Sequence, residues 1–158
     1  MNVNIGITVN DRKAVAEGLM KLLADEFVLY TKTRNAHWNV EGTDFHTMHV
    51  FFEQQYNELE ELVDAVAERI RKLGHYAPAT LKQLLQLTHL TEENDRGNSS
   101  AGFLRGLLED HESIIQFIRG NIVPFGEKYH DAGTSDFVTG LMEKHEEMAW
   151  MIRAHFTN

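Results

Sequence analysis

The 158-residue sequence has no cysteine and only two prolines. Without cysteine there is no disulfide and no thiolate ligand for a metal, and a reducing compartment is compatible with this. No apolar run approaches the ~20 residues needed to cross a bilayer. The start, MNVNIGITVNDRKAVAEG, lacks the basic-then-apolar pattern of a secretory signal, so a cytoplasmic protein with no membrane partner is expected. Positive charge is also scarce: 15 Lys and Arg stand against 24 Asp and Glu, a formal net charge of −9. That balance argues against a broad basic face for nucleic acid and favours attraction of cations. One absence is local. Residues 44–68 contain no Lys or Arg at all.

What is present is helical periodicity. The length fits a single domain, residues 1–158, with a substantial core. VNIGITV near the start alternates too briefly for a strand, so residues 1–10 are expected to form an extended arm. A first helix is expected from about Asp11 to Ala36, capped by Asn10 or Asp11, with Val15, Leu19, Leu22, Leu23 and Phe27 on its apolar stripe. A second runs from Thr43 or Asp44 to Leu73-Gly74, with Gly74 as its terminating residue. A long connection follows from His75 to about Ser99, with a short helix in TLKQLLQL. The third helix begins after Ser99-Ser100, and Gly120, Pro124 and Gly126 predict a kink or an early stop at its end. The fourth begins near Thr134-Ser135. Short, long and short connections between four amphipathic helices predict an all-α, ferritin-like four-helix bundle with one crossover.

The second helix carries His49, Glu53, Asp64 and Glu68. Each helical residue advances ~100°. With His49 at zero, Glu53 falls at ~40°, Glu60 at ~20°, Asp64 at ~60° and Glu68 at ~100°. The apolar residues, from Phe51 and Phe52 to Ile70 and Leu73, centre at roughly 265°. The two faces are thus ~140° apart, and the acids point out of the bundle. A solvated acidic face is the common explanation of such a pattern. Solvated helices, however, interleave Lys or Arg with Glu at i+4, and this one does not.

Reach decides how the acids can be used. His49 with Glu53, and Asp64 with Glu68, are i,i+4 pairs, each able to share one metal ion. Eleven residues separate Glu53 from Asp64, ~16 Å along the axis, whereas the metals of a dinuclear centre lie about 3.5–4 Å apart. One helix cannot bring both pairs to one centre. Two copies packed antiparallel about a twofold near Glu58-Leu59 set His49 against Glu68 and Glu53 against Asp64, forming two equivalent sites. The turn near Gly42-Thr43 folds His37 back beside His49. The expected site takes His37, His49 and Glu53 from one chain, and Asp64 and Glu68 from its twofold mate. Nitrogen and carboxylate ligands without sulfur suit Fe(II), Mn(II) or Zn(II).

Other candidates are weaker. A centre inside the bundle requires inward Glu residues and paired Glu-x-x-His motifs. The single instance here, Glu127 with His130, lies just past Pro124 and reads as coincidence. His111 and His145 fall on core faces, where hydrogen-bonded packing is the common role of a histidine. His46 is expected to be exposed, and Trp38 and Trp150 to be core or interface anchors. No nucleophile motif, phosphate loop or glycosidase acid pair is evident.

KTRNAHWNVEGTDFHTMHVFFEQQY followed by DAVAERIRKLG, together with DAGTSDFVTGLMEKHEEMAWMIRAHF, resembles the Dps family of mini-ferritins over nearly the whole chain. His-Trp-Asn, a second His twelve residues on, an acid four later and Asp-x-x-x-Glu eleven beyond form the family's signature; Glu53 stands where Asp is frequent. The resemblance implies a homo-dodecameric shell built from twofold dimers, with di-iron sites at the twofold interfaces. It further implies oxidation of Fe(II), preferably by hydrogen peroxide and otherwise by O2, storage of the ferric mineral and protection against oxidative damage. It places Trp38 near the site as an electron donor, and Asp131 and Asp136 at threefold pores, where a further acid of some members is Gly140 here. DNA-binding members carry Lys- and Arg-rich tails. This chain has only Arg12 and Lys13 near its start, so weak or no DNA binding is expected. A nucleic-acid coat with solvated acids, and a cage for a metal other than iron, are the alternative readings.

Overall fold

A computed structural model describes residues 3–93 and 95–156. Four long helices form a bundle: α1 (Val9–Asn39), α2 (Phe45–Lys72), α4 (Ser100–Val123) and α5 (Ala132–Arg153). The short α3 (Leu81–Leu87) sits in the crossover between α2 and α4. α1 packs along α2 and α4 along α5, while α1 also contacts α4 and α3. This is the ferritin-like arrangement the periodicity predicts. No strand occurs among the described residues, only an isolated bridge between Glu41 and Ser99. The core is a continuous apolar cluster that includes Leu19, Leu22, Leu29, Phe52, Leu59, Ile70, Ile114, Ile118, Met148 and Ile152.

The helix limits follow their caps. Thr8, not Asn10 or Asp11, opens α1: its Oγ1 accepts from Asp11 N–H at 3.1 Å while its hydroxyl donates to the Asp11 carboxylate at 2.7 Å. Val9 and Asn10 therefore belong to the helix rather than to the expected arm. Of that arm, residues 3–8 are without helix or strand, and residues 1 and 2 lie outside the described residues. α1 also runs on to Asn39, which places His37 in its last turn. α3 starts with a capping box between Thr80 and Gln83.

Pro124 produces neither a stop nor a simple kink. α4 passes into a π-helical turn, Pro124–Lys128, with Tyr129 N–H donating to Pro124 O at 3.1 Å. Proline cannot donate to the carbonyl four residues back, and its ring crowds it; widening the helix by one residue per turn accommodates both effects. His130, at φ 56°, then reverses the chain into α5. Asp131 caps α5 three residues ahead of the expected start, accepting from Thr134 N–H.

Candidate metal centre

The α1–α2 turn does what the spacing requires. His37 and His49 lie side by side with ring centroids 3.7 Å apart, stacked at an interplanar angle of 22°. Each ring donates from Nδ1 to the main-chain carbonyl of the other residue, His37 to His49 O at 2.8 Å and His49 to His37 O at 2.7 Å. A carbonyl can only accept, so both Nδ1 atoms carry a proton, and it is Nε2 that bears the lone pair of each neutral ring. Hydrogen bonds of this kind fix the tautomer and orientation of a metal-binding histidine. His37 is 8% exposed and His49 half-buried, whereas Glu53 one turn further along α2 is exposed.

Asp64 and Glu68 also face solvent, as the wheel predicts, and lie about three and four turns beyond Glu53 on the same helix. Within one chain, no three His, Asp or Glu side chains come together as a metal cage among the described residues. Glu68 meets Lys72 at 3.4 Å, an exposed i,i+4 pair that holds neither side chain firmly. The cation-free run of α2 is partly answered by other helices. Lys144 of α5 reaches Glu58 at 3.1 Å, and Arg34 of α1 lies over the ring of Tyr56 at 4.0 Å.

The sequence reading gave Tyr56, Tyr30 and Arg34 no role. Tyr56 is buried, packs edge-on against His37 at 5.1 Å, and its hydroxyl is 3.4 Å from Glu53 Oε1. Burial, reinforced by the Glu53 charge, pushes its phenol above the ordinary value. Tyr30 meets it at 6.3 Å, edge to face, and accepts a hydrogen bond from Arg34 Nε at 2.9 Å. The signal was available: Tyr30 lies seven residues before His37, and Tyr56 seven after His49. The register that joins the histidines therefore joins the tyrosines.

The other candidates are distributed over the fold. Trp38 and Trp150 are 66% and 64% exposed, so neither anchors the core of this chain. Asp131 is 2% exposed, and its oxygens are taken by Arg69, at 3.0 Å, and by Thr134. Asp136 begins the second turn of α5. Glu127 and His130 are both exposed and do not share a helix. His111 and His145 are fully buried but not separate: their Nδ1 atoms are 2.9 Å apart, and His145 Nε2 is 2.7 Å from Glu26 Oε1. Burial holds the His111 imidazole well below its ordinary value, and His145 adds to the effect.

A ferritin-like domain family model matches residues 16–158. The chain is 41% identical over 152 residues to an uncharacterized low temperature-induced protein of Nostoc sp., covering 96% of this chain and 85% of that one. It is 34% identical over 142 residues to the DNA protection during starvation protein 2 of Bacillus anthracis, covering 90% and 96% of the two chains. The Dps protein of Vibrio cholerae O1, described as a member of a broad superfamily of ferritin-like diiron-carboxylate proteins, superposes with a TM-score of 0.91 at 26% identity, covering 99% and 98%. DpsC from Streptomyces coelicolor gives 0.94 at 26% identity, covering 100% and 92%.

Proposed function

The chain belongs to the ferritin-like family, within its Dps group, and from that membership we propose that it is an iron-storing mini-ferritin whose ferroxidase site is shared by two chains. The observation that carries this reading is the His37–His49 pair. Two neighbouring imidazoles, each locked with its Nε2 lone pair available, suit a cation that accepts both. Glu53 supplies a carboxylate from the same chain. Asp64 and Glu68, too far along α2 to join it, supply the rest from the twofold mate. Iron is the substrate, and Zn(II) or Mn(II) would compete for the same oxygen and nitrogen donors. Two Fe(II) ions each give one electron to one hydrogen peroxide, which takes up two protons and becomes two waters; O2 is the slower oxidant. The Fe(III) formed passes to mineral inside a dodecameric shell. Consumption of iron and peroxide together removes both reagents of radical formation, which is the protective role.

Complementation tests the shared site. Chains carrying His37→Ala and chains carrying Asp64→Ala should each oxidise Fe(II) far more slowly than wild type, followed by ultraviolet absorbance with and without peroxide. Co-expressed in equal amounts, they should recover about a quarter of the wild-type rate, since half of random C2 pairs are mixed and one site in each mixed pair is intact. No recovery, or full activity in either single variant, rejects a two-chain centre.

A further inference from the structure

One cluster beside the imidazoles has no role in the ligand set itself. We propose that Tyr56 is a positioning residue for this centre: its hydroxyl holds one carboxylate oxygen of Glu53 so that the other faces the cation shared with His37 and His49, and Arg34 with Tyr30 keeps Tyr56 in place. The proposal rests on the reading above.

Five contacts support it. The Tyr56 hydroxyl approaches Glu53 Oε1 at 3.4 Å, a long hydrogen bond that a bound cation would tighten by drawing the carboxylate inward. The ring edge meets His37 at 5.1 Å with an interplanar angle of 79°, so Tyr56 touches two expected ligands from different helices. On its face lies the Arg34 guanidinium at 4.0 Å, and Tyr30 closes the far side at 6.3 Å. Arg34 is itself fixed by its Nε bond to the Tyr30 hydroxyl. A planar guanidinium can stack on one ring and donate in-plane to another residue, which an ammonium cannot do. Without Tyr56, Glu53 would be an exposed side chain free to turn among rotamers, and ordering it would be charged against cation binding. Outer-shell partners of metal ligands commonly set affinity by about 10–100-fold.

Co(II), whose visible bands report ligand geometry, is the probe. It is titrated into the assembled wild-type protein and into Tyr56→Phe, Arg34→Lys and His37→Ala, with thermal unfolding recorded for each. Tyr56→Phe keeps the ring and its packing. It should weaken Co(II) binding about tenfold or more and shift the visible bands, with the melting transition nearly unchanged. Arg34→Lys should act in the same direction, and it alters no core packing. Binding within twofold of wild type and an unchanged spectrum in both variants, while His37→Ala loses Co(II), would sink the role of Tyr56 and leave the centre standing. If His37→Ala binds Co(II) as well as wild type, the centre itself is misassigned and the proposal falls with it.

Discussion

His111 shows what a single buried side chain does to the whole bundle. Its Nδ1 shares one proton with His145 Nδ1, which ties α4 to α5, and Glu26 extends the chain of bonds to α1. A second proton on this pair would replace the hydrogen bond by two opposed N–H groups. Because burial lowers the proton affinity of His111 in the folded state, the unfolded chain binds a proton there first. Stability is therefore complete above the ordinary histidine value, about 6.5, and declines as pH falls through it, by up to about 1.4 kcal/mol per pH unit. Urea unfolding at pH 7.5 and at pH 5 should show that decline in wild type and a smaller one in His111→Gln. Equal declines would assign the acid sensitivity to other groups. The sequence placed both histidines on core faces but gave no sign that they meet, because the pairing depends on the register of α4 against α5. By contrast, the His37–His49 pairing was legible, since one short turn fixes the register of α1 against α2.

Among the elements, the crossover is clasped to α1 by a buried carboxylate. Asp25 of α1 is buried and accepts from the Thr88 hydroxyl at 2.6 Å, from His89 N–H at 2.6 Å and from the His89 ring at 3.0 Å. Asp25→Ala leaves these donors without their acceptor and should cost at least about 2 kcal/mol. Hydrogen exchange should accelerate over residues 79–93 far more than in α5; uniform acceleration would mean the clasp is not local. α2 ends with comparable economy. Gly74 takes φ 88°, and a Cβ there would lie 2.7 Å from Val3 Cγ2 and 3.0 Å from Arg12 Nη1. Gly74→Ala is expected to lower thermal stability by about 1–3 kcal/mol, from left-handed backbone strain and overpacking; an unchanged melting transition would contradict it. Helix number, order and the terminating Gly74 could be read from periodicity and turn chemistry. The π-helical turn after Val123 could not, because proline reports that a helix must change and not how.

For the molecule as a whole, charge decides the partners. Arg12, one of two cations near the start, is buried and donates from Nη1 to Leu73 O at 2.9 Å, closing α2. It is not available to phosphate, and the net charge of −9 repels a polyanion. Duplex DNA should show no retardation in a gel at low salt without divalent cations; tight binding there would favour the nucleic-acid coat. Also exposed on the single chain are Trp38, Phe45 and Trp150, apolar groups whose burial an assembly would supply. Sequence alone determined the helical class, the crossover, the outward direction of Glu53, Asp64 and Glu68, and the impossibility of uniting them on one helix. Those properties follow from the fixed angle and rise per residue, which need only local spacing. Tertiary structure alone decided that Arg34 lies over Tyr56, that Asp131 is spent on Arg69, and that Arg12 seals α2. Those contacts join residues far apart in the chain, and only the packing of one helix on another sets which side chains meet.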